Sequence, residues 1–294
     1  MSEIDNAYRG ITKKFENMPD IDRLSYATTM IHIEENECER YGTGFFFNFS
    51  SLSSDVVVAD DSVFEKMCLV TNRHVVSNGD TASFYVHSYD KNRDLVEDKT
   101  LVKINNLKNA VIFHPDSKID LAVVPLTKYT NEICFVGSCL TKDDLPTKEQ
   151  LSNIKPADNV IMVGYPIGLW DSVNNMPIFR QGILATNPDL DYEGEKSFLI
   201  DAACFPGSSG SPVLLYETFN YISVYGAHKI PKKLFFLGIQ SGTFMHGING
   251  EIKIVDIPTT KQPVPQMQIP SLLGIVVKSS CILDFENLIP STDK

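Results

Sequence analysis

Long hydrophobic runs are missing from this 294-residue sequence, and so is an excess of basic charge. The longest clear apolar stretch, Leu272 to Val277, is strand-sized, far short of the roughly 18 residues that suggest a membrane span. Lys and Arg number 26 against 37 Asp and Glu, a net charge of −11. An acidic surface argues against nucleic acid or an anionic membrane as the main partner. The opening MSEIDNAYRGITKKFENMPDID has no basic start followed by an apolar core. No secretory signal is visible, and a cytoplasmic setting is expected. Cysteines are few and scattered: Cys38, Cys68, Cys134, Cys139, Cys204 and Cys281. Reduced thiols are expected in such a chain. Cys134 and Cys139 are close, but no second Cys/His pair has zinc-site spacing, so neither a metal nor a cofactor is expected. Cys204 is expected to be a buried, inert thiol, since nothing near it in the sequence is cationic.

What is present is a series of short apolar or alternating runs. They include Ala27–Ile33, Thr43–Phe49, Met67–Thr71, Ala82–His87, Ala110–His114, Leu121–Leu126, Val160–Val163, Ser197–Ile200, Pro212–Tyr216, Leu234–Ile239 and Leu273–Val277. They are rich in Val, Ile, Phe and Tyr and are separated by turn residues. Many short strands with regular breaks predict an all-β sandwich or barrel rather than βαβ units. Helical periodicity is rare; one short amphipathic helix is expected over Asp5–Asn17, with Ile11 and Phe15 on one side. The polar stretch Thr141–Asp158 predicts a connector between two β-rich halves. Tyr216–Lys233 predicts a surface hairpin. Met245–Pro270 predicts a long irregular excursion, the kind of segment that is more often functional than core.

Three short segments carry chemical side chains. "CLVTNRHVV" puts His74 just after a strand, "DSKIDLAVVPL" puts Asp120 just before one, and "DAACFPGSSGSPV" packs three serines among glycines. Taken singly, each is ordinary: a strand-end His is more often structural, and an Asp before a strand more often caps a turn. In this order, on an all-β chain, they resemble the trypsin/chymotrypsin-fold serine proteases. The resemblance rests on Gly42-Thr43-Gly44-Phe45, on Thr71-Asn72-Arg73-His74-Val75, on Asp120-Leu121-Ala122-Val123-Val124 and on Gly207-Ser208-Ser209-Gly210-Ser211-Pro212. Asp201-Ala202-Ala203 and "VGYPIGLWD" further resemble the high-temperature-requirement (Deg) type and its bacterial trypsin-like relatives. The chain ends nine residues after Phe285, so a peptidase domain without the peptide-binding PDZ module of that type is expected.

That resemblance implies one peptidase domain over 1–294, built of two six-stranded antiparallel β-barrels, about 25–145 and 158–285, with the active site between them. It implies a serine endopeptidase acting through an acyl-enzyme, on a protein or peptide substrate. His74 would be the general base, Asp120 its orienting partner and Ser209 the nucleophile. The N–H groups of Gly207 and Ser209 would form the oxyanion hole, Gly207 in a conformation that favours glycine. Ser241 would hydrogen-bond the aspartate, and Ser241, Gly242 and Thr243 would form an edge that pairs with substrate backbone. Ala203, six residues before Ser209, would sit at the base of the primary specificity pocket; lacking an acid there, the site is expected to favour a small or medium apolar side chain. Substrate or a regulatory protein partner is expected to order the loops around the site. The rival from a different class is a catalytically dormant protease-fold scaffold. An esterase using the same three residues is a further alternative. The remaining histidines are expected to be structural, and the acidic run Glu34, Glu35, Glu37 and Glu39 a solvated strand end and turn.

Overall fold

Strand β2 (Cys38–Asn48) contains the run Phe45-Phe46-Phe47-Asn48, buried throughout. Successive side chains of a strand point to opposite faces, and the run shows what lies on each. Phe46 enters a core with Ile31, Leu69, Phe84 and Val124. Phe45 and Phe47 enter a different core with Leu214, Phe236, Ile239 and Phe285. Phe45 meets Phe236 edge-on, with ring centroids 5.3 Å apart. The strand is apolar on both faces because it lines the interior of its own sheet and, behind it, the seam with the second half.

The computed structural model describes residues 20–35, 38–50, 66–89, 95–129, 139–217, 220–223, 226–229, 233–249 and 266–290. A helix, α1 (Asp20–Ala27), leads into β1 (Thr28–Glu35). The first sheet orders its strands β5 (Leu95–Asn105), β4 (Thr81–Tyr89), β1, β2, β3 (Met67–Thr71), β7 (Ala122–Pro125) and β6 (Ile112–Phe113), with β8 (Leu140–Thr141) parallel to β2. The second half closes a six-stranded antiparallel barrel from β9 (Asn159–Gly164), β10 (Ile178–Leu184), β11 (Ser197–Asp201), β12 (Pro212–Glu217), β15 (Lys233–Asn249) and β16 (Gln266–Lys278). Its interior holds Val160, Met162, Phe198, Ile200, Val213 and Val276. This is the chymotrypsin-like two-barrel architecture. The first sheet counts eight strands rather than six because the two-residue strands β6 and β8 join it.

Several local expectations meet a different structure. Met245–Pro270 is not irregular throughout: β15 runs on to Asn249 and β16 starts at Gln266, paired residue for residue from Met245↔Pro270 to Asn249↔Gln266. Prolines hide this pairing from a pattern search, since they are tolerated where no ladder hydrogen bond is needed. Ala110–His114 keeps only Ile112–Phe113 as strand, after a helical turn at Leu107–Ala110. Tyr216–Lys233 contains the expected hairpin, β13 (Asn220–Ser223) with β14 (Gly226–Lys229). The connector holds a short helix, Lys148–Asn153, capped by Thr147 and Gln150. The helix expected over Asp5–Asn17 lies outside the described residues.

Candidate active site

Strand pairing brings His74 and Asp120 together. β3 and β7 are antiparallel with Thr71 opposite Ala122, so the residues just after β3 lie beside those just before β7. Asn72 Nδ2 donates to the Asp120 carbonyl at 2.8 Å. A single helical turn, Arg73–Val76, follows; Val75 and Val76 are buried, which turns His74 outward, half exposed. The His74 N–H donates to Asp120 Oδ1 at 3.0 Å, and its Nδ1 lies 2.6 Å from Oδ2. A carboxylate can only accept, so Nδ1 carries the proton and Nε2, on the opposite ring edge, is free to accept one. Across the seam, Ser241 Oγ donates to the same Oδ2 at 2.7 Å. Burial by itself would raise the Asp120 carboxyl, but the hydrogen bonds from the His74 ring, Ser241 and the His74 backbone outweigh it and hold the group below the usual carboxylate range.

The three serines of the glycine-rich loop are not equivalent. Ser208 is 2% exposed and its Oγ accepts from the Phe205 N–H; Ser211 is 0% exposed, its hydroxyl without a hydrogen-bond partner among the described residues. Ser209 is the partly exposed one, and its Oγ donates to the Ser241 carbonyl at 3.4 Å rather than to His74. The loop needs its glycines. Gly207 has φ +88° and Gly210 φ +90°; a Cβ on Gly210 would lie 1.9 Å from the Thr43 carbonyl oxygen, and one on Gly207 2.5 Å from that of Tyr165. Neighbouring amides are engaged: Ser208 N–H with Phe205, Gly210 N–H with Gln240, Ser211 N–H with Ser208. The N–H groups of Gly207 and Ser209 have no partner among the described residues.

Beside the serine loop, β12 stops pairing with β15 at Ile239. Gln240 still exchanges backbone bonds with the serine loop, through Gly210 N–H and the Ser211 carbonyl; from there to Thr243, β15 is paired among the described strands only with β16, with a bulge at Ser241. Ser241, Gly242 and Thr243 thus have a free edge among the described pairs, and Thr243 Oγ1 donates back to Leu273. Ala203 is half-buried, and its carbonyl accepts from Arg180 Nη1. The Arg180 guanidinium also lies 4.7 Å from the Phe205 ring centroid. This corrects the expectation that nothing cationic lies near Cys204: Arg180 does, brought in by β10. Burial still dominates and pushes the Cys204 thiol up to about 11, so it remains inert.

Sequence inspection left Arg180 and Thr43 without a role. Arg180 is the single charged residue of its strand, and nothing local signals its contact with Ala203. Thr43 had a signal, a hydroxyl between two glycines, but the partners of that hydroxyl are more than a hundred residues away. Three of the other histidines have structural partners: His32 stacks on Tyr41, His87 faces the Asn175 carbonyl, and His114 bonds Asp284. Glu34 pairs with Lys103 and Glu35 with Arg40. Among the described residues no three His, Cys, Asp or Glu cluster as a metal site would require, and no helix is long and apolar enough to cross a membrane.

Residues 42–221 match the trypsin-like peptidase domain family. The match spans more than half of the chain, and the chain belongs to that family. Among solved structures it is similar to the HtrA-type protease AlgW with a tripeptide (15% identity, TM-score 0.48, 92% of this chain and 62% of that one). It is also similar to the serine endoprotease from Yersinia pestis (14%, TM-score 0.45, 92% and 65%), and to the Rv3671c protease from M. tuberculosis in its active form (16%, TM-score 0.46, 95% and 87%). The chain thus spans less than two thirds of the first two. No curated protein matches it.

Proposed function

We propose that this protein is an endopeptidase that cleaves peptide bonds through an acyl-enzyme on Ser209, with His74 as general base and acid and Asp120 as its orienting partner. One observation carries this. The accessible serine of the loop lies beside two unpartnered N–H groups, across the seam from an imidazole whose tautomer a carboxylate fixes at 2.6 Å.

In this mechanism the Ser209 Oγ bonds to the substrate carbonyl carbon while its proton passes to His74 Nε2. The carbonyl electron pair moves to oxygen, where the N–H groups of Gly207 and Ser209 receive it. The pair then returns, the C–N bond breaks, and the leaving amine takes the proton from Nε2. Water repeats the sequence: its proton goes to Nε2, its oxygen to the acyl carbon, and Ser209 regains its proton as the acid departs. Asp120 keeps the ring in the productive tautomer and stabilises the imidazolium. The free edge at Ser241–Thr243 supports binding of an extended peptide backbone. Ala203 supports a small or medium apolar side chain in the primary pocket.

Because Ser209 Oγ donates to Ser241 rather than to His74, the last alignment step belongs to the bound state; substrate or a regulatory protein partner supplies it. The described cysteines are free thiols, in keeping with a reducing, cytoplasmic setting.

The test is fluorophosphonate labelling followed by peptide-library cleavage read by mass spectrometry. Labelling at Ser209 is expected, retained in Ser208→Ala and Ser211→Ala and lost in Ser209→Ala along with all cleavage. A folded wild-type protein that neither labels nor cleaves, with or without added peptides, would establish the dormant scaffold instead.

A further inference from the structure

Thr43 has no exposed surface and makes four hydrogen bonds. Its carbonyl accepts from Thr71 Oγ1 at 2.8 Å, within the first sheet. The other three cross the seam. Its N–H donates to the Ser209 carbonyl at 2.8 Å. Its Oγ1 donates to the Gly207 carbonyl at 2.8 Å and accepts from the Tyr165 N–H at 3.1 Å. A hydroxyl is the small group that can donate and accept at one atom, and this one uses both functions.

These bonds bear on the direction of one N–H. The Gly207 N–H shares a peptide plane with the Pro206 carbonyl, and in a trans peptide the two point opposite ways. The Pro206 carbonyl accepts from the Ile167 N–H at 2.6 Å. The next plane, beginning at the Gly207 carbonyl, is held by Thr43 Oγ1. Gly207, at φ +88° and without a Cβ, has little intrinsic preference for this conformation. Its orientation is set from outside, by a pin on each side. The first pin comes from the turn at Tyr165–Gly168, which Thr43 also ties at Tyr165.

We infer that Thr43 is a positioning residue for the oxyanion hole: its hydroxyl aims the Gly207 N–H at the charge that develops during acyl transfer. The inference rests on the peptidase function proposed above. Removing one such donor costs roughly two to three orders of magnitude in rate; misdirecting it is expected to cost about 10- to 100-fold.

The experiment compares Thr43→Val, Thr43→Ser and Thr43→Cys with wild type. Fluorophosphonate labelling is followed at Ser209, where Oγ forms the P–O bond, fluoride leaves and His74 Nε2 takes the proton. Carbethoxylation of His74 by diethyl pyrocarbonate, which needs no oxyanion hole, is followed in parallel by mass spectrometry. The Val and Cys variants are expected to label about 10- to 100-fold more slowly, with His74 reactivity within about twofold of wild type. With a cleavable peptide the loss falls on kcat and spares KM. The Ser variant is expected within about threefold of wild type. Should Thr43→Val fail to fold, the Ser and Cys pair decides, differing by one atom. A folded Val or Cys variant labelling at the wild-type rate overturns the inference, as does a Ser variant that falls as far as Val, or a parallel loss of His74 reactivity. In those outcomes the peptidase proposal stands, because wild type labels at Ser209; an unlabelled wild type removes both.

Discussion

The two halves of the molecule hold their parts of the site in different ways. In the first, His74 and Asp120 meet because β3 and β7 are paired with Thr71 opposite Ala122; a register buried on both faces fixes them. In the second, Ser209 and its N–H neighbours sit on a turn between β11 and β12 that the barrel holds only where Gln240 of β15 bonds Gly210 and Ser211. That turn takes its shape from contacts outside it: Thr43 of the first sheet, the Tyr165–Gly168 turn, and the Gln240 carbonyl. In the proposed mechanism one half supplies proton chemistry on a ladder, and the other supplies nucleophile and charge stabilisation on a loop held across a seam. The first should tolerate changes of charge without losing shape, while the second should be sensitive to a single added carbon.

The sharpest contrast comes from Asp120→Asn. The substitution keeps the size of the side chain, and the β3–β7 ladder does not depend on it. It places an N–H₂ or a neutral oxygen against His74 Nδ1, so the ring loses the partner that fixes its tautomer. Peptide cleavage is expected to fall by about four orders of magnitude, while stability falls by only about 1–2 kcal/mol as the bonds to the charged carboxylate weaken. A variant with more than a tenth of wild-type activity would remove Asp120 from the mechanism.

Gly210→Ala tests the other half. Its added Cβ would sit 1.9 Å from the Thr43 carbonyl, at a φ of +90° that alanine disfavours. Backbone lies on both sides of this contact, so no flexible side chain can move away. Activity is expected to fall by about two to three orders of magnitude as the Ser209 N–H loses its aim, with a stability loss of about 2–4 kcal/mol. Activity and stability therefore fall together here, whereas Asp120→Asn separates them. An active, fully stable Gly210→Ala protein would show that the loop is not held across the seam.

What the sequence made legible follows the same division. His74, Asp120 and Ser209 could be placed because each sits in a short local pattern next to an apolar strand. The β-rich class was visible in the runs themselves; Met67–Thr71 matches its strand end to end. The seam was not visible. The Phe45-Phe46-Phe47 run reveals burial on both faces, but not that one face meets Phe236. Thr43 and Arg180 depend on long-range closure, and no local periodicity encodes their partners. The paired extension of β15 and β16 was concealed by prolines and polar residues, because strand pairing there is carried by backbone.

The smallest expected effect concerns Ser241, which joins the two halves at one oxygen. Its hydroxyl donates to Asp120 Oδ2 at 2.7 Å and helps hold the carboxyl below its ordinary range. A carboxyl lowered on folding contributes stability that is fully present above the unfolded value, near 3.9. That contribution is lost as pH falls from there through the lower folded value, because the unfolded chain binds the proton first. Ser241→Ala removes one donor to the charged form, so the folded value rises toward the unfolded one and the contribution shrinks. The variant is expected to be about 1–2 kcal/mol less stable than wild type at pH 6. The gap should narrow as pH drops below about 4, where protonation of the carboxyl deprives the bond of its charge. Cleavage should fall only about tenfold or less, since His74 still binds Asp120 through two bonds of its own. Urea unfolding of both proteins from pH 6 to pH 2.5 measures this. A gap constant across that range would mean that Ser241 supports the seam by packing alone, leaving the His74–Asp120 pair wholly the work of the first sheet.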